Sequence, residues 1–441
     1  MKRLLPLLLC AVLALFCATT AQAAGVSITL TASEYALHYA FDAGAQDPFV
    51  ILEYTTPAEK GWMMLYSEDG HFEGDVSLAY SGAGGKTSVA LTSARTTGSI
   101  GKASTTLPKA ADYQKPTGKS NAKVTDFVLT ETPEGFHYAF NAIGTDYMLL
   151  YWRSKEQTVT QPVYPDENGH YEGDVISDLT FARTQFTVQV KSGSGSMKKE
   201  ATVRKGYQAP EAPQRQEGRL SGVTVCIDAG HQENGRFVNE PIGPGLSGST
   251  SGKGGMAQGT KTNRRESIVC LEIGMLLRDE LLRQGVNVIM TREDQTTFHT
   301  NIERCEIAEA GGAQIMLRLH CNNSSNRSKR GIQVYGPLNS DYAKAVADAD
   351  TYREMGQKLL DAMKTRVGMT LANSTGMVRL NDNYVGNNWA KMMCFLVEMG
   401  YLSNPAEEYL LVTPVYQQWL AEGMADGVYE IAVARGWVQA Q

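Results

Sequence analysis

The amino-terminal half of this 441-residue chain repeats itself at a constant offset of 99 residues, and that duplication limits the fold more than any other feature. His38-Tyr39-Ala40-Phe41 recurs as His137-Tyr138-Ala139-Phe140, and Gly70-His71-Phe72-Glu73-Gly74-Asp75-Val76 recurs as Gly169-His170-Tyr171-Glu172-Gly173-Asp174-Val175. Each copy alternates apolar and polar residues in short runs, as in Ser27-Ile28-Thr29-Leu30, with turn signals at Asp69-Gly70 and Asn168-Gly169. Short, evenly spaced strands of this kind pack as small β-sandwiches. Two copies make a tandem pair of domains, since a solenoid needs roughly three or more stacked units. Pro-bearing polar linkers, Tyr113-Gln114-Lys115-Pro116 and Tyr207-Gln208-Ala209-Pro210, follow the copies.

From Val223 the pattern changes. Val223 to Ile227 and Val286 to Met290 read as strands, and between them Val269, Ile273, Leu277 and Leu281 form one apolar stripe on a helix that Gly285 stops. Strand-like runs recur at Gln314 to Leu319, Gly331 to Tyr335 and Cys394 to Val397, with helical stretches between and after them. The expected fold is therefore multidomain: two small all-β sandwich-like repeats, then an α/β domain whose mostly parallel twisted sheet is flanked by helices. The expected boundaries are 1–23 for a leader, 25–106 and 121–206 for the repeats, 207–220 for a linker and 221–438 for the α/β domain.

The leader reading rests on Lys2 and Arg3 before an apolar stretch from Leu4 to Phe16, with Ala21-Gln22-Ala23 as a small-residue cleavage site. It implies an exported chain, extracellular or associated with the cell wall. The apolar stretch falls short of the roughly 20 residues that span a bilayer, and no second such run follows, so no membrane span is expected in the mature chain. A formal charge of −6 without a long Lys/Arg run argues against a nucleic-acid partner. Beyond the leader the cysteines are Cys226, Cys270, Cys305, Cys321 and Cys394, an odd number without CxxC spacing, which reads as buried thiols.

In open α/β sheets the active site forms beyond the carboxyl ends of the strands. His231 follows the first strand of the α/β domain, His320 ends the run from Gln314, Glu398 ends Cys394-Phe395-Leu396-Val397, and Glu266 opens the first helix. Two imidazoles and a carboxylate with one position open to water make a catalytic zinc site, and a further carboxylate can serve as base. On spacing alone each residue also has a plainer reading. Glu266 lies three residues after Asn263 and could complete a helix cap, His231 could be a loop residue, His320 a core residue, and Glu398 half of an ion pair. The four repeat histidines, His38, His71, His137 and His170, read as structural beside Tyr and Gly, and His299 reads the same way in its Thr-rich stretch.

Val225-Cys226-Ile227-Asp228-Ala229-Gly230-His231-Gln232, the helix start from Glu266 to Leu271, Met290-Thr291-Arg292, Arg318-Leu319-His320-Cys321-Asn322 and Val397-Glu398-Met399-Gly400-Tyr401-Leu402-Ser403-Asn404-Pro405 occur in that order. Together they resemble the zinc-dependent N-acetylmuramoyl-L-alanine amidases of the third amidase family, over about residues 222–436. The resemblance implies one Zn2+ held by His231, Glu266 and His320, with Glu398 as general base. It also implies peptidoglycan as partner, both glycan strand and stem peptide, and hydrolysis of the muramoyl–L-alanine amide. The other readings are a zinc peptidase acting within the stem peptide and a non-catalytic wall-binding protein. Asn322 and the amide- and indole-bearing run Gly386-Asn387-Asn388-Trp389 are candidates for substrate contact through Asn322, Asn387 and Trp389. The 34 residues between His231 and Glu266 depart from the family pattern. They hold eight glycines and read either as a mobile rim to the site or as a passive insertion.

Overall fold

The computed structural model describes the chain apart from residues 1–18, 23–25, 34–35, 58–59, 79–83, 111–121, 133–134, 144–147, 154–157, 164, 177–183, 193–196, 206–210, 233–237, 251–254, 263, 368–376 and 441. The expected leader lies largely outside the described residues. Of it, Thr19–Gln22 forms a short strand paired with Ser27–Ala32. Among the described residues no helix is long and apolar enough to cross a membrane. The chain divides into two compact units, residues 1–115 and 116–441.

In the first unit, Ala36–Asp42 pairs with both Ser27–Ala32 and His71–Ser77, and a second antiparallel sheet joins Lys60–Tyr66, Phe49–Thr55, Gly85–Ser93 and Ser99–Leu107. Alternation decides which side chains are buried. Leu37, Tyr39 and Phe41 enter a core shared with Val50, Leu52, Val89 and Leu91 of the other sheet. His38 and His71 point outward to Asp75 (3.0 Å) and Asp42 (2.6 Å) across the strands.

The second unit begins with the second copy, in two antiparallel sheets around Phe136, Tyr138, Phe140, Leu150, Trp152 and Phe186. The offset of 99 holds strand by strand, since His71–Ser77 corresponds to His170–Ile176. The glycine of the repeated motif has a steric reason. A Cβ on Gly74 would stand 2.8 Å from the Tyr39 hydroxyl, and one on Gly173 would stand 2.7 Å from that of Tyr138. The histidines are held as in the first copy, His137 on Asp174 (2.9 Å) and His170 on Asn141 (2.8 Å). All four are thus bonded across strands on the outer faces.

The rest of the second unit is a mixed six-stranded sheet with helices on both faces. Its strands are β1 (Thr224–Ala229), β2 (Asn287–Met290), β3 (Ile315–Asn322), β4 (Gln333–Gly336), β5 (Met377–Leu380) and β6 (Met393–Tyr401), in the order β2-β1-β3-β6-β4-β5. Four ladders are parallel, and only β4 against β6 is antiparallel. Helices α1 (Glu266–Arg283), α2 (Asn301–Ala310), α3 (Asp341–Val346), α4 (Ala349–Val367), α5 (Val385–Trp389), α6 (Glu407–Leu410) and α7 (Pro414–Ala434) connect and flank them.

Both faces of the sheet are apolar, as a covered parallel sheet requires. Ile227 and Leu319 meet α1 at Gly274, where a Cβ would stand 3.6 Å from each. The alternate residues Cys226, Met316 and Cys394 turn the other way and pack with Cys305 and Ala308 of α2 and with Ala390 after α5. The five cysteines among the described residues are buried free thiols.

Candidate metal centre and active site

The parallel register puts the chemistry at one end of the sheet. β1 and β3 run side by side with Ala229 opposite Leu319, so the turn after β1 delivers His231 beside His320. β3 and β6 place His320 opposite Glu398. Gly230 is needed at this crossing, because a Cβ there would lie 2.4 Å from the Leu319 carbonyl and 2.6 Å from the His320 ring. His231 itself adopts φ 57°, a left-handed conformation that costs a non-glycine residue about 1–2 kcal/mol.

Glu266 is the first residue of α1 after the N-cap Arg265, so its carboxylate is not the capping-box partner that its spacing from Asn263 allowed. It points into the sheet. Its Oε1 lies 3.1 Å from His231 Nε2 and 3.0 Å from His320 Nδ1 and accepts the Cys321 N–H (3.0 Å), while Oε2 accepts the Ala257 N–H (2.7 Å). The two imidazole rings stand 4.9 Å apart. Among the described residues, one atom each of His231, Glu266 and His320 come within 4.8 Å of one another, close enough to hold a metal ion. The carboxylate is 4% exposed and the imidazoles 22% and 15%, so the group is open to water from the histidine side.

Burial alone would raise the Glu266 carboxyl, but the hydrogen bonds and charge of the two imidazoles outweigh it and hold the group well below the usual carboxylate range. Burial lowers His320, partly offset by Glu266 and reinforced by repulsion from His231, so a neutral imidazole is favoured there. Neutral imidazole and carboxylate are the forms that bind zinc. The donor set of two nitrogens and one oxygen, open on one side, fits that ion.

Glu398 stands apart from this group. Among the described residues it forms no ion pair and its buried Oε2 has no hydrogen-bond partner, and burial, then repulsion from Glu266, pushes its pKa up to about 8. On its other side Gln333 faces it in register across β4. The Gln333 Oε1 accepts from the Tyr335 hydroxyl (2.6 Å) and from the Asn322 amide (3.1 Å), and Tyr384 packs on Tyr335 at 5.1 Å between rings.

Residues 225–430 match the family described as N-acetylmuramoyl-L-alanine amidase. This part of the chain is an amidase domain of that family. The bond it hydrolyses is the amide between N-acetylmuramic acid and L-alanine in peptidoglycan. Among curated relatives, the germination-specific N-acetylmuramoyl-L-alanine amidase of Bacillus subtilis is 26% identical over 231 residues, covering 49% of this chain and 83% of that protein. The probable cell wall amidase LytH of Staphylococcus aureus is 26% identical over 218 residues, 48% of this chain and 60% of that one. Of solved structures, an N-acetylmuramoyl-L-alanine amidase from Clostridium difficile is 24% identical over 48% of this chain and 96% of its own, with a TM-score of 0.38.

Within the amidase domain two of the suggested substrate residues are engaged elsewhere. Asn387 is fully buried on α5 and its amide donates to the Tyr335 carbonyl (2.8 Å), so it cannot reach substrate. Trp389 donates its indole N–H to the Pro241 carbonyl (2.9 Å) and packs edge-on against Tyr342. It precedes β6, at the end of the strand remote from Glu398. Asn322 does lie beside the site, half-buried and bonded to Gln333.

The described parts of the Gly-rich insertion are fastened at both ends. Glu240 accepts the N–H groups of Asn301 and Ile302 at the start of α2, and Asn388 holds the Ile242 carbonyl. Near the other end, Glu408 accepts the N–H groups of Lys261 and Thr262 and the hydroxyl of Thr260. A freely moving rim is therefore not what residues 240–246 and 257–262 form.

Sequence reasoning missed the buried charges below the site. Asp228 is 0% exposed and accepts from Arg304, from Arg318 Nε (2.9 Å) and from the Thr291 hydroxyl (2.8 Å). A signal was present: Asp228 and Arg318 interrupt otherwise apolar strands, Val225-Cys226-Ile227 and Met316-Leu317, where an unpaired charge is prohibitive.

Proposed function

We propose that the amidase domain works with one zinc ion held by His231, Glu266 and His320, and that Glu398 is the general base. The observation that carries this reading is the convergence of the three ligand atoms beside a buried carboxylate oxygen that has no partner among the described residues. Bound there, zinc supplies a Lewis acid that polarises a carbonyl and lowers the pKa of water to about 7. Glu266 is fixed by two main-chain N–H groups, which hold its carboxylate facing both imidazole rings. Burial and repulsion from Glu266 raise Glu398 in the metal-free site, and the charge of a bound cation would oppose that rise, bringing the group towards the range where it both takes and returns a proton. Its open oxygen takes the proton of the attacking water and passes it to the leaving L-alanine nitrogen. No covalent enzyme intermediate is needed.

Export follows from the leader signals, and action at the cell wall fits the names of the relatives. The two repeats, as separate domains over 25–106 and 121–206, hold the enzyme on wall material. Asn322 is the remaining candidate for substrate contact, with Gln333 setting its amide.

Replacing His231 by Ala removes one ligand of three. Zinc measured by elemental analysis after dialysis should fall from about one per chain to a small fraction of that, with the sheet intact. A variant that still carries the wild-type amount would show that the ligand assignment is wrong.

A further inference from the structure

Two buried guanidinium groups hold the carbonyl oxygens of the turn that carries His231. Arg292, which follows β2 and Thr291, donates Nε to the Ala229 carbonyl (2.7 Å), Nη2 to those of Gly230 (2.8 Å) and Ser267 (2.7 Å), and Nη1 to that of Asp294 (2.8 Å). It is 2% exposed, and all four of these bonds go to main-chain carbonyls. Arg304 adds bonds to Ala229 (3.0 Å) and to His231 itself (3.2 Å).

A buried cation whose bonds among the described residues all go to carbonyls is an expensive arrangement, and burial brings Arg292 down to about 10, still charged at neutral pH. Its acceptors suggest what it secures. Gly230 adjoins His231 and Ser267 adjoins Glu266, so one planar group spans the main chains of two ligands that arrive from different elements. Gln295, 2% exposed, donates a second bond to the Ser267 carbonyl (2.9 Å).

We propose that Arg292 is the positioning residue of the metal centre, fixing the separation between the His231 and Glu266 side chains by clamping the carbonyls of Gly230 and Ser267. The proposal rests on the zinc reading above. A lysine keeps the charge but is a point donor without the planar fork, so it cannot serve both segments with the same geometry. A role in general packing would instead lower stability and leave metal binding by folded protein unchanged.

The test uses the full chain, with zinc affinity from chelator competition and the visible spectrum of the cobalt-loaded protein, both well below the melting temperature. Arg292→Lys should bind zinc roughly 10–100-fold more weakly, as supporting groups around metal ligands do when lost, and should shift the cobalt bands. Arg278→Lys is the comparison. Arg278 is equally buried but bonded to Asp279 and Glu293, and its variant should keep wild-type affinity whatever its melting temperature.

Wild-type zinc affinity and an unchanged cobalt spectrum in folded Arg292→Lys would overturn the proposal while leaving the zinc reading intact. Absence of zinc binding by the wild-type chain would overturn both. Should Arg292→Lys not fold, Gln295→Leu decides: weaker zinc binding by the folded variant, up to the roughly 10–100-fold seen for lost supporting groups, supports the clamp, and wild-type affinity overturns it.

Discussion

Glu398→Gln is expected to lower muropeptide turnover roughly 10²–10⁴-fold, the range for a lost general base, while zinc content and folding survive. The substitution keeps the side-chain volume and removes only the ability to accept a proton. Because Glu398 forms no ion pair among the described residues, nothing else should collapse with it. A second consequence concerns pH. With a folded pKa of about 8 against an ordinary 4.5, the metal-free folded state retains a proton that the unfolded chain has already released across that window. Stability contributed by the protonated carboxyl is therefore complete below about pH 4.5 and falls as pH rises towards 8. Metal-free Glu398→Gln lacks this loss. Thermal melts should find it more stable than wild type at pH 8 to 9 and similar to it near pH 4. Near-normal turnover, or a variant destabilised at every pH, would contradict the role assigned to Glu398.

The largest effect on stability is expected from Asp228→Asn. Burial would raise this carboxyl, but Arg304 and Arg318 hold it well below the usual range. Neutralising it leaves two buried guanidinium groups without their shared counter-charge. Removing one partner of a buried pair costs about 3–5 kcal/mol, a large part of the roughly 5–15 kcal/mol that stabilises a domain. The melting temperature should drop steeply, or the amidase domain should fail to fold. The depressed pKa also means that this stabilisation is present above the ordinary carboxylate range and is lost as pH falls through the acid range, so wild type and variant should converge only in strong acid. A melt close to that of wild type near pH 7 would show that the two arginines do not depend on Asp228.

The elements and candidate ligands were legible in the sequence for a physical reason. The repeats, the stripe on α1 and the strands ending at His231, His320 and Glu398 are local patterns, and a parallel sheet brings the carboxyl ends of its strands together whatever the connections. Pairing across distance was not legible. Asp228 meets Arg304 and Arg318 from 76 and 90 residues away, and no local pattern announces such partners. The antiparallel placement of β4 was hidden too, since its apolar run reads alike in either direction. The run Asn387-Asn388-Trp389 reads as a contact segment because an amide-rich stretch resembles a polar loop. In the fold these donors serve the carbonyls of Tyr335, Asp382, Ile242 and Pro241, tying α5 to the sheet and to the insertion. That task needs side-chain amides as much as substrate recognition does.

Bond identity is the most direct test of the whole account. Mass spectrometry of purified muropeptides digested by the zinc-loaded full chain should find glycan with its lactyl group free and the stem peptide released intact from L-alanine onward, with neither product formed by Glu398→Gln on the same time scale. Cleavage within the stem peptide, or no cleavage by the zinc-loaded wild type, would contradict it.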